Sequence, residues 1–239
     1  MKKSIFILAL FFIITSNAQK LKEIKGNQKI VTITRTTSEY DKIIIAGSFD
    51  LKLVSGTEGT ITLEGDENLL EYIKTDVRNG SLNIAFDKTT NIQYNYKSSI
   101  EISIPIEQID ELVFSGSGNV NATEIIVSDN FKSTITGSGN VSFVTSAKIL
   151  KITKAGSGNL TIKGKATQLE VSASGSGNIN LFDLTTQNAV ASQTGSGNIN
   201  LNCIEKLDAT TAGSGSIQYK GNPKKINKNS SGSGGIFGN

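Results

Sequence analysis

The chain of 239 residues contains no histidine and no tryptophan, a single cysteine, Cys203, and two prolines. Without histidine there is no imidazole general base and no histidine metal ligand, which excludes most nucleophilic triads and most zinc sites. One cysteine cannot form a disulfide within the chain, so we expect Cys203 to be a small, partly buried filler. Only ten Phe and five Tyr are present. A globular core of bulky side chains is therefore not expected.

No strong charge of either sign is present, because 24 Lys and Arg face 21 Asp and Glu. This balance gives no global attraction to nucleic acid or to acidic lipid. The charges are unevenly placed: residues 19–115 carry 11 bases and 15 acids, whereas residues 116–239 carry 11 bases and six acids. The sign of the net charge changes where a regular repeat begins.

The repeat is a Gly-Ser-Gly-Asn corner that first appears at residues 116–119 and recurs at steps of 21, 19, 19, 20, 18 and 19 residues. A period near 20 residues is typical of repeat architectures. The five copies that keep both glycines and the asparagine are Gly116, Gly118, Asn119; Gly137, Gly139, Asn140; Gly156, Gly158, Asn159; Gly175, Gly177, Asn178; and Gly195, Gly197, Asn198. In the last two copies Ser216 and Gly235 replace the asparagine.

Alternating apolar residues flank each corner, such as Leu160 and Ile162 after one corner and Leu169 and Val171 before the next. This alternation predicts strands. We therefore expect an all-β fold, a single-stranded parallel β-helix with turns of about 19 to 20 residues, in which each turn stacks on the previous one. Helical repeats, propeller blades and leucine-rich repeats do not fit this period and composition.

The chain begins with Lys2-Lys3, an apolar run over residues 5–14 and small residues before Gln19. These features predict a secretory signal peptide over residues 1–18, and no membrane span is expected elsewhere. Residues 19–29 are predicted to be a flexible lead-in, and residues 30–239 a single β-helix domain. Within that domain, residues 30–115 are expected to form degenerate turns, with one short helix near 66–73, and residues 116–239 to form the regular turns.

The corner residues have a structural explanation. Glycine allows φ > 0 or a close backbone approach, and stacked asparagines can form an amide ladder between turns. A calcium-binding roll would need an aspartate every nine residues, and a phosphate loop would need a lysine after its glycines. We thus expect no metal, no cofactor and no catalytic residues. The lysine cluster of the repeats, Lys148, Lys151, Lys154, Lys163 and Lys165, is interpreted as a solvated face, with contact to an anionic glycan as the alternative.

Four features together carry a family resemblance: the strand–corner–strand segment 43–53, the Asp-Glu-Asn-Leu-Leu segment at 66–70, the Val77–Ile84 hairpin sequence and the serial corners. The chain resembles the bacterial family of auto-transporter adhesin head GIN domains over about residues 30–237. The resemblance implies a right-handed parallel β-helix in an exported protein, chiefly of Bacteroidetes-type bacteria, and it implies no catalytic residues.

The favoured function is a non-enzymatic, adhesin-like interaction surface in the periplasm, on the outer surface or outside the cell, with a surface glycan or protein as partner. Two alternatives stay open. One is a carbohydrate-binding or carbohydrate-active, pectinase-like β-helix. The other is a self-assembling scaffold with a weak end contact through Ile236 and Phe237, since the last strand there carries no charged side chain.

Overall fold

The computed structural model describes residues 22–87, 90–93 and 98–239. The predicted signal peptide lies outside these residues. No helix among them is long and apolar enough to cross a membrane. The fold is nearly all β, a stack of parallel coils of about seven turns, which confirms the predicted solenoid.

The regular half contains five long strands, each of which begins directly after one corner and ends at the first glycine of the next, with shorter strands on either side of them. Their bounds are β10 (Glu111–Gly116), β11 (Val120–Gly137), β12 (Val141–Gly156), β13 (Leu160–Gly175), β14 (Ile179–Gly195), β15 (Ile199–Gly213), β16 (Ile217–Lys220), β17 (Lys225–Gly232) and β18 (Ile236–Gly238). All these pairings are parallel, and the strands from β10 to β16 have a neighbouring turn on each side. Leu150, Leu169, Ala189 and Leu207 stand in one register and are buried, so the apolar columns of the sequence form the core.

The N-terminal half is built from shorter elements. Their bounds are β1 (Lys22–Lys25), β2 (Ile30–Thr36), β3 (Lys42–Ala46), β4 (Asp50–Ser55), β5 (Thr60–Asp66), α1 (Glu67–Leu70), β6 (Ile73–Arg78), β7 (Ser81–Phe86), β8 (Thr90–Gln93) and β9 (Glu101–Ile106). The expected short helix is present as α1, and it buries Leu69 and Leu70. The corner at 47–50 joins β3, which pairs with β10, to β4, which pairs with β11. This corner therefore belongs to the coil.

The expectation that residues 30–115 are only degenerate turns of the same coil needs correction. Strand β2 is antiparallel to β5, β5 is antiparallel to β9, and β6 is antiparallel to β7. The reversal between β6 and β7 occurs at Asn79 and Gly80, whose φ angles are 50° and 71°. Two consecutive residues with positive φ form the tight turn that joins antiparallel strands. These antiparallel strands close the N-terminal end of the coil.

The segment expected to be a flexible lead-in also contains ordered contacts. Strand β1 pairs in parallel with β8. The backbone N–H of Asn27 donates to the side-chain oxygen of Asn68 at 2.9 Å, and the Asn68 amide donates to the carbonyl of Lys25 at 2.8 Å. Ile24 packs partly against the core. The polar residues around it give no apolar period in the sequence, and side-chain hydrogen bonds also hold this segment.

Candidate functional site: the corner column and the axial groove

The first glycines of the corners have a conformation that other residues rarely adopt. Their φ lies between +98° and +116° in the six copies from Gly137 to Gly232. The second glycines do not share this conformation. Instead, a Cβ atom on Gly158 or Gly177 would lie 1.9 Å from the carbonyl oxygen of the second glycine in the preceding turn. A Cβ on a first glycine would also be too close to the preceding turn, 2.2 Å from a carbonyl oxygen at Gly137 and Gly156. Backbone contact between turns therefore requires glycine at both positions, and positive φ is an additional reason at the first position from Gly137 onward.

The asparagines of five corners form one continuous column of hydrogen bonds. The side-chain amides donate to the amide oxygen of the preceding copy, from Asn140 to Asn119 and from Asn159 to Asn140 at 3.2 Å, and from Asn198 to Asn178 at 3.1 Å. The same oxygens accept backbone N–H groups of the next turn, at 3.1 Å for Asn159 and Asn178 and 3.0 Å for Asn198. The column therefore joins each turn to the next.

Different residues end this column. At its N-terminal end the Asp50 carboxylate accepts both the backbone and the side-chain N–H of Asn119, at 2.8 and 3.0 Å. At the other end the backbone N–H of Ser216 donates to Asn198 at 2.9 Å. Since neighbouring turns take up these donors and acceptors, the column fits a role in holding the coil together.

Replacing Asn159 by Ala should lower the free energy of unfolding by about 1 kcal/mol, because the contacts to Asn140 and Asn178 are lost at an exposed site. Urea denaturation followed by far-UV circular dichroism measures this. Asn121→Ala, which removes an exposed asparagine outside the column, is the matched control and should change little. If Asn159→Ala left stability unchanged but abolished binding to a partner, the column would be a ligand site.

One lysine of the predicted solvated cluster is not solvated. Lys154 is 1% exposed, and its Nζ donates to the carbonyl of Gly156 at 3.2 Å. Burial lowers the pKa of Lys154. It occupies the inward position two residues before a corner glycine, where other turns have Phe114, Ile135 and Ala173. The alternation of inward and outward positions could have predicted that Lys154 is buried. Its charge alone led to the wrong interpretation, that it faces solvent.

Most of the other clustered lysines are neutralised by acids on neighbouring turns. Lys148 lies 2.8 Å from Asp129, Lys151 3.0 Å from Glu170, and Lys163 3.4 Å from Asp183. Lys165 has no such ion pair among the described residues. Three lysines of the cluster therefore form ion pairs between turns, and Lys165 does not. The cluster is not a concentrated basic patch for an anionic glycan.

A groove runs along the flank of the coil, parallel to its axis, beside Lys165. It has a volume of about 490 Å³ and spans five successive turns. We call it the axial groove and define it by Val127, Asp129, Ser146, Lys165, Thr185 and Ile204. Val127, Ser146, Lys165 and Thr185 stand in one register on adjacent turns, so they form one wall. The sequence analysis missed this groove, because the residues that line it are outward-facing and of mixed type.

A second concavity of about 490 Å³ lies at the N-terminal end and is acidic. Its lining includes Glu39, Asp41, Glu58 and Glu107. Burial, together with the nearby acids, raises the pKa of Glu58. Its carboxylate accepts the backbone N–H of Tyr40 at 2.6 Å, so it is committed to the local fold. Among the described residues, no group of three or more Cys, Asp or Glu side chains is arranged to hold a metal ion.

Solved structures with the same fold include two that share 26% of their residues with this chain. One is described as a "putative adhesin" from Bacteroides fragilis, with a TM-score of 0.84 over 90% of this chain and 100% of that one. The other is described as a "putative lipid binding protein" from Parabacteroides distasonis, with a TM-score of 0.74 over 91% and 100%.

A further "putative adhesin" from Parabacteroides distasonis, 22% identical, has a TM-score of 0.71 over 91% of this chain and 100% of that one, and shows the shared fold alone. No curated protein matches the chain. The sequence profile of one family matches residues 39–223. The chain therefore belongs to the family described as "putative auto-transporter adhesin, head GIN domain", as its corner sequences predict.

Proposed function

We propose that the protein is a non-enzymatic, exported binding protein of the cell envelope, and that the axial groove is its adhesive surface. The observation that carries this proposal is the groove itself, which crosses five turns and has at its centre Lys165, for which the described residues provide no ion pair. Its geometry suits an extended ligand, since the turns place equivalent side chains about 4.8 Å apart along the axis. The family and the adhesin-described relative support the same assignment.

The experiment has two parts. Cell fractionation of the source bacterium, with antibody detection, should find the protein outside the cytoplasm. The purified protein should bind whole cells, a glycan array or surface proteins in a saturable way. Binding should weaken in a variant that carries Lys165→Glu. Binding that is unaffected by this change, or recovery of the protein only in the cytoplasm, would contradict the proposal.

The carbohydrate-active alternative is less well supported. Glycosidases need two carboxyl groups on either side of the scissile bond. Asp129 is the carboxylate that lines the axial groove, and it lies 2.8 Å from Lys148. Binding without cleavage is the function we favour for this surface.

A self-assembling scaffold is a second candidate, and the C-terminal strands favour it. Strand β17 hydrogen-bonds to β15 alone, and all eight of its residues are exposed. Strand β18 pairs with β16 alone, and Phe237 on it is 55% exposed, while Ile236 packs partly against the core. Strand edges with one neighbour are sites where a further strand can add.

If this edge mediates assembly, the sedimentation coefficient of the wild-type protein should rise with concentration, and Ile236→Lys with Phe237→Lys should abolish the rise. Analytical ultracentrifugation by sedimentation velocity measures it. Val190→Lys, which changes an exposed apolar residue on another strand, is the matched control. Strictly monomeric behaviour of the wild type at every concentration would eliminate the scaffold candidate.

A further inference from the structure

The axial groove carries three exposed side chains that a ligand could contact, placed two turns apart along the axis. Val127 is 60% exposed and Ile204 is 38% exposed, although both are large apolar residues. Lys165 lies between them along the axis. Val127 is two turns before it in the same column. Ile204 is two turns after it, and two residues further along its strand than Asn202, which continues the Lys165 column. Two turns correspond to about 9.6 Å. The groove thus presents an apolar contact, a cation and an apolar contact in that order.

The cation needs an outside partner of opposite charge. Lys148, the other lysine that lines the groove, is already bound to Asp129 at 2.8 Å, whereas Lys165 has no ion pair within the described part of the chain. An extended ligand with one central carboxylate would complement Lys165. An apolar group about 9.6 Å along the axis from this carboxylate would cover Val127. A second apolar group at the same axial distance on the other side, displaced sideways by about 6.6 Å, would cover Ile204.

This spacing selects one backbone conformation of a peptide. In a β-strand, side chains on one face repeat every two residues, so a side chain three residues away points to the opposite face. In a polyproline II helix, every third residue lies on the same face, about 9.3 Å further on. The second repeat matches two turns of the coil. A polyproline II backbone has no internal hydrogen bonds, and the walls offer it the hydroxyl groups of Ser146 and Thr185.

We infer that the axial groove binds a polyproline II segment of another protein, in which an acidic residue is preceded and followed, at three residues, by aliphatic residues. The inference rests on the proposed adhesive role of the same groove. A glycan is less suitable, because it has no aliphatic side groups for Val127 and Ile204, and no aromatic residue lines the groove to stack on a sugar ring.

The probe is a fluorescein-labelled peptide, Val-Pro-Pro-Glu-Pro-Pro-Val, titrated with the purified full chain and followed by fluorescence anisotropy. We expect saturable binding that weakens at higher salt. Exchanging Glu for Gln in the peptide should weaken binding about tenfold, since one charge-assisted contact is lost. The peptide Pro-Val-Pro-Glu-Pro-Val-Pro, with the same composition and a shorter spacing, should bind weakly.

Two protein variants with matched controls locate the site. Lys165→Gln should weaken binding about tenfold. Lys163→Gln, two residues away on the same strand and outside the groove, should leave binding unchanged. Val127→Ser combined with Ile204→Ser should also weaken binding, whereas Val190→Ser should not. Each variant is first checked for wild-type stability by urea denaturation.

The outcomes separate this inference from the proposed function. If the peptides do not bind, or bind equally to Lys165→Gln, while a glycan or cell surface still binds wild type better than Lys165→Glu, the peptide inference is wrong and the adhesive groove stands. If neither peptides nor cells nor glycans depend on Lys165, both are wrong.

Discussion

A valine at Gly158 should lower the free energy of unfolding by at least about 3 kcal/mol, which is the upper end of the cost of overpacking a core. The Cβ alone would lie 1.9 Å from the carbonyl oxygen of Gly139. Carbon and oxygen atoms that are not bonded need more than 3 Å, so the two turns must separate. Separation weakens the hydrogen bonds from Ser157 and Gly158 to the carbonyl of Gly137, now 3.1 and 3.2 Å long. The damage therefore extends beyond one contact.

Gly158→Ala and Ser157→Val complete this experiment. Alanine adds only the clashing Cβ, so it should already lower the urea midpoint. Ser157 is exposed and lies between the two corner glycines, so a valine there should change the midpoint little. Far-UV circular dichroism under urea measures all three variants. A Gly158→Ala protein with the wild-type midpoint would show that the turns can move apart at little cost.

The sequence predicted that the corners need glycine, and it gave two reasons, positive φ and close backbone approach. It could not assign the reasons to positions. The structure has positive φ at Gly156 and Gly175, the first glycines of their corners, and not at Gly158 and Gly177. Both glycines approach the backbone of the previous turn. Which of them takes positive φ depends on the path of the backbone at the corner, and a periodic sequence does not contain that information.

The fold of the regular half was predictable because every turn stacks in the same way. The apolar positions of one turn therefore support the strand assignment of the next. The N-terminal half lacks this redundancy. Its strands have the same alternation whether they pair in parallel or antiparallel, so β2 and β5 could not be oriented from pattern alone. For β6 and β7 the sequence does contain the signal, because Asn79-Gly80 is typical of a hairpin turn. The axial groove could not be predicted either, because it forms where outward-facing residues of five turns align. Val127, Lys165 and Ile204, which contribute to it, are far apart in the sequence.

Arg35 is another residue whose role only the structure reveals. It lies on β2, and its guanidinium donates to the carbonyls of Leu70, at 2.6 Å, and Ile73, and to the Thr75 hydroxyl at 3.2 Å. The Leu70 carbonyl belongs to the last turn of α1, where no helical N–H is available to it. Burial lowers the pKa of Arg35. One side chain thus connects β2, α1 and β6, the elements that close the N-terminal end.

Arg35→Met should lower the free energy of unfolding of this end by about 2 to 3 kcal/mol, because methionine keeps the apolar stem but leaves two carbonyls without their charged donor. In a coil, each turn contacts only its neighbours, so the loss should stay local. Hydrogen-exchange mass spectrometry should show faster exchange in peptides covering 67–78 and little change beyond residue 140.

Arg78→Met is the matched control, since Arg78 is the only other arginine in the chain. Its side chain is 76% exposed and contacts Asp76 at 3.2 Å, and such exposed pairs contribute little. Equal exchange in the two variants would mean that the Arg35 contacts do not stabilise the closed end. Faster exchange throughout the coil in Arg35→Met would instead mean that the N-terminal strands and the regular turns unfold as one cooperative unit, because loss of the closing elements would then expose every turn behind them.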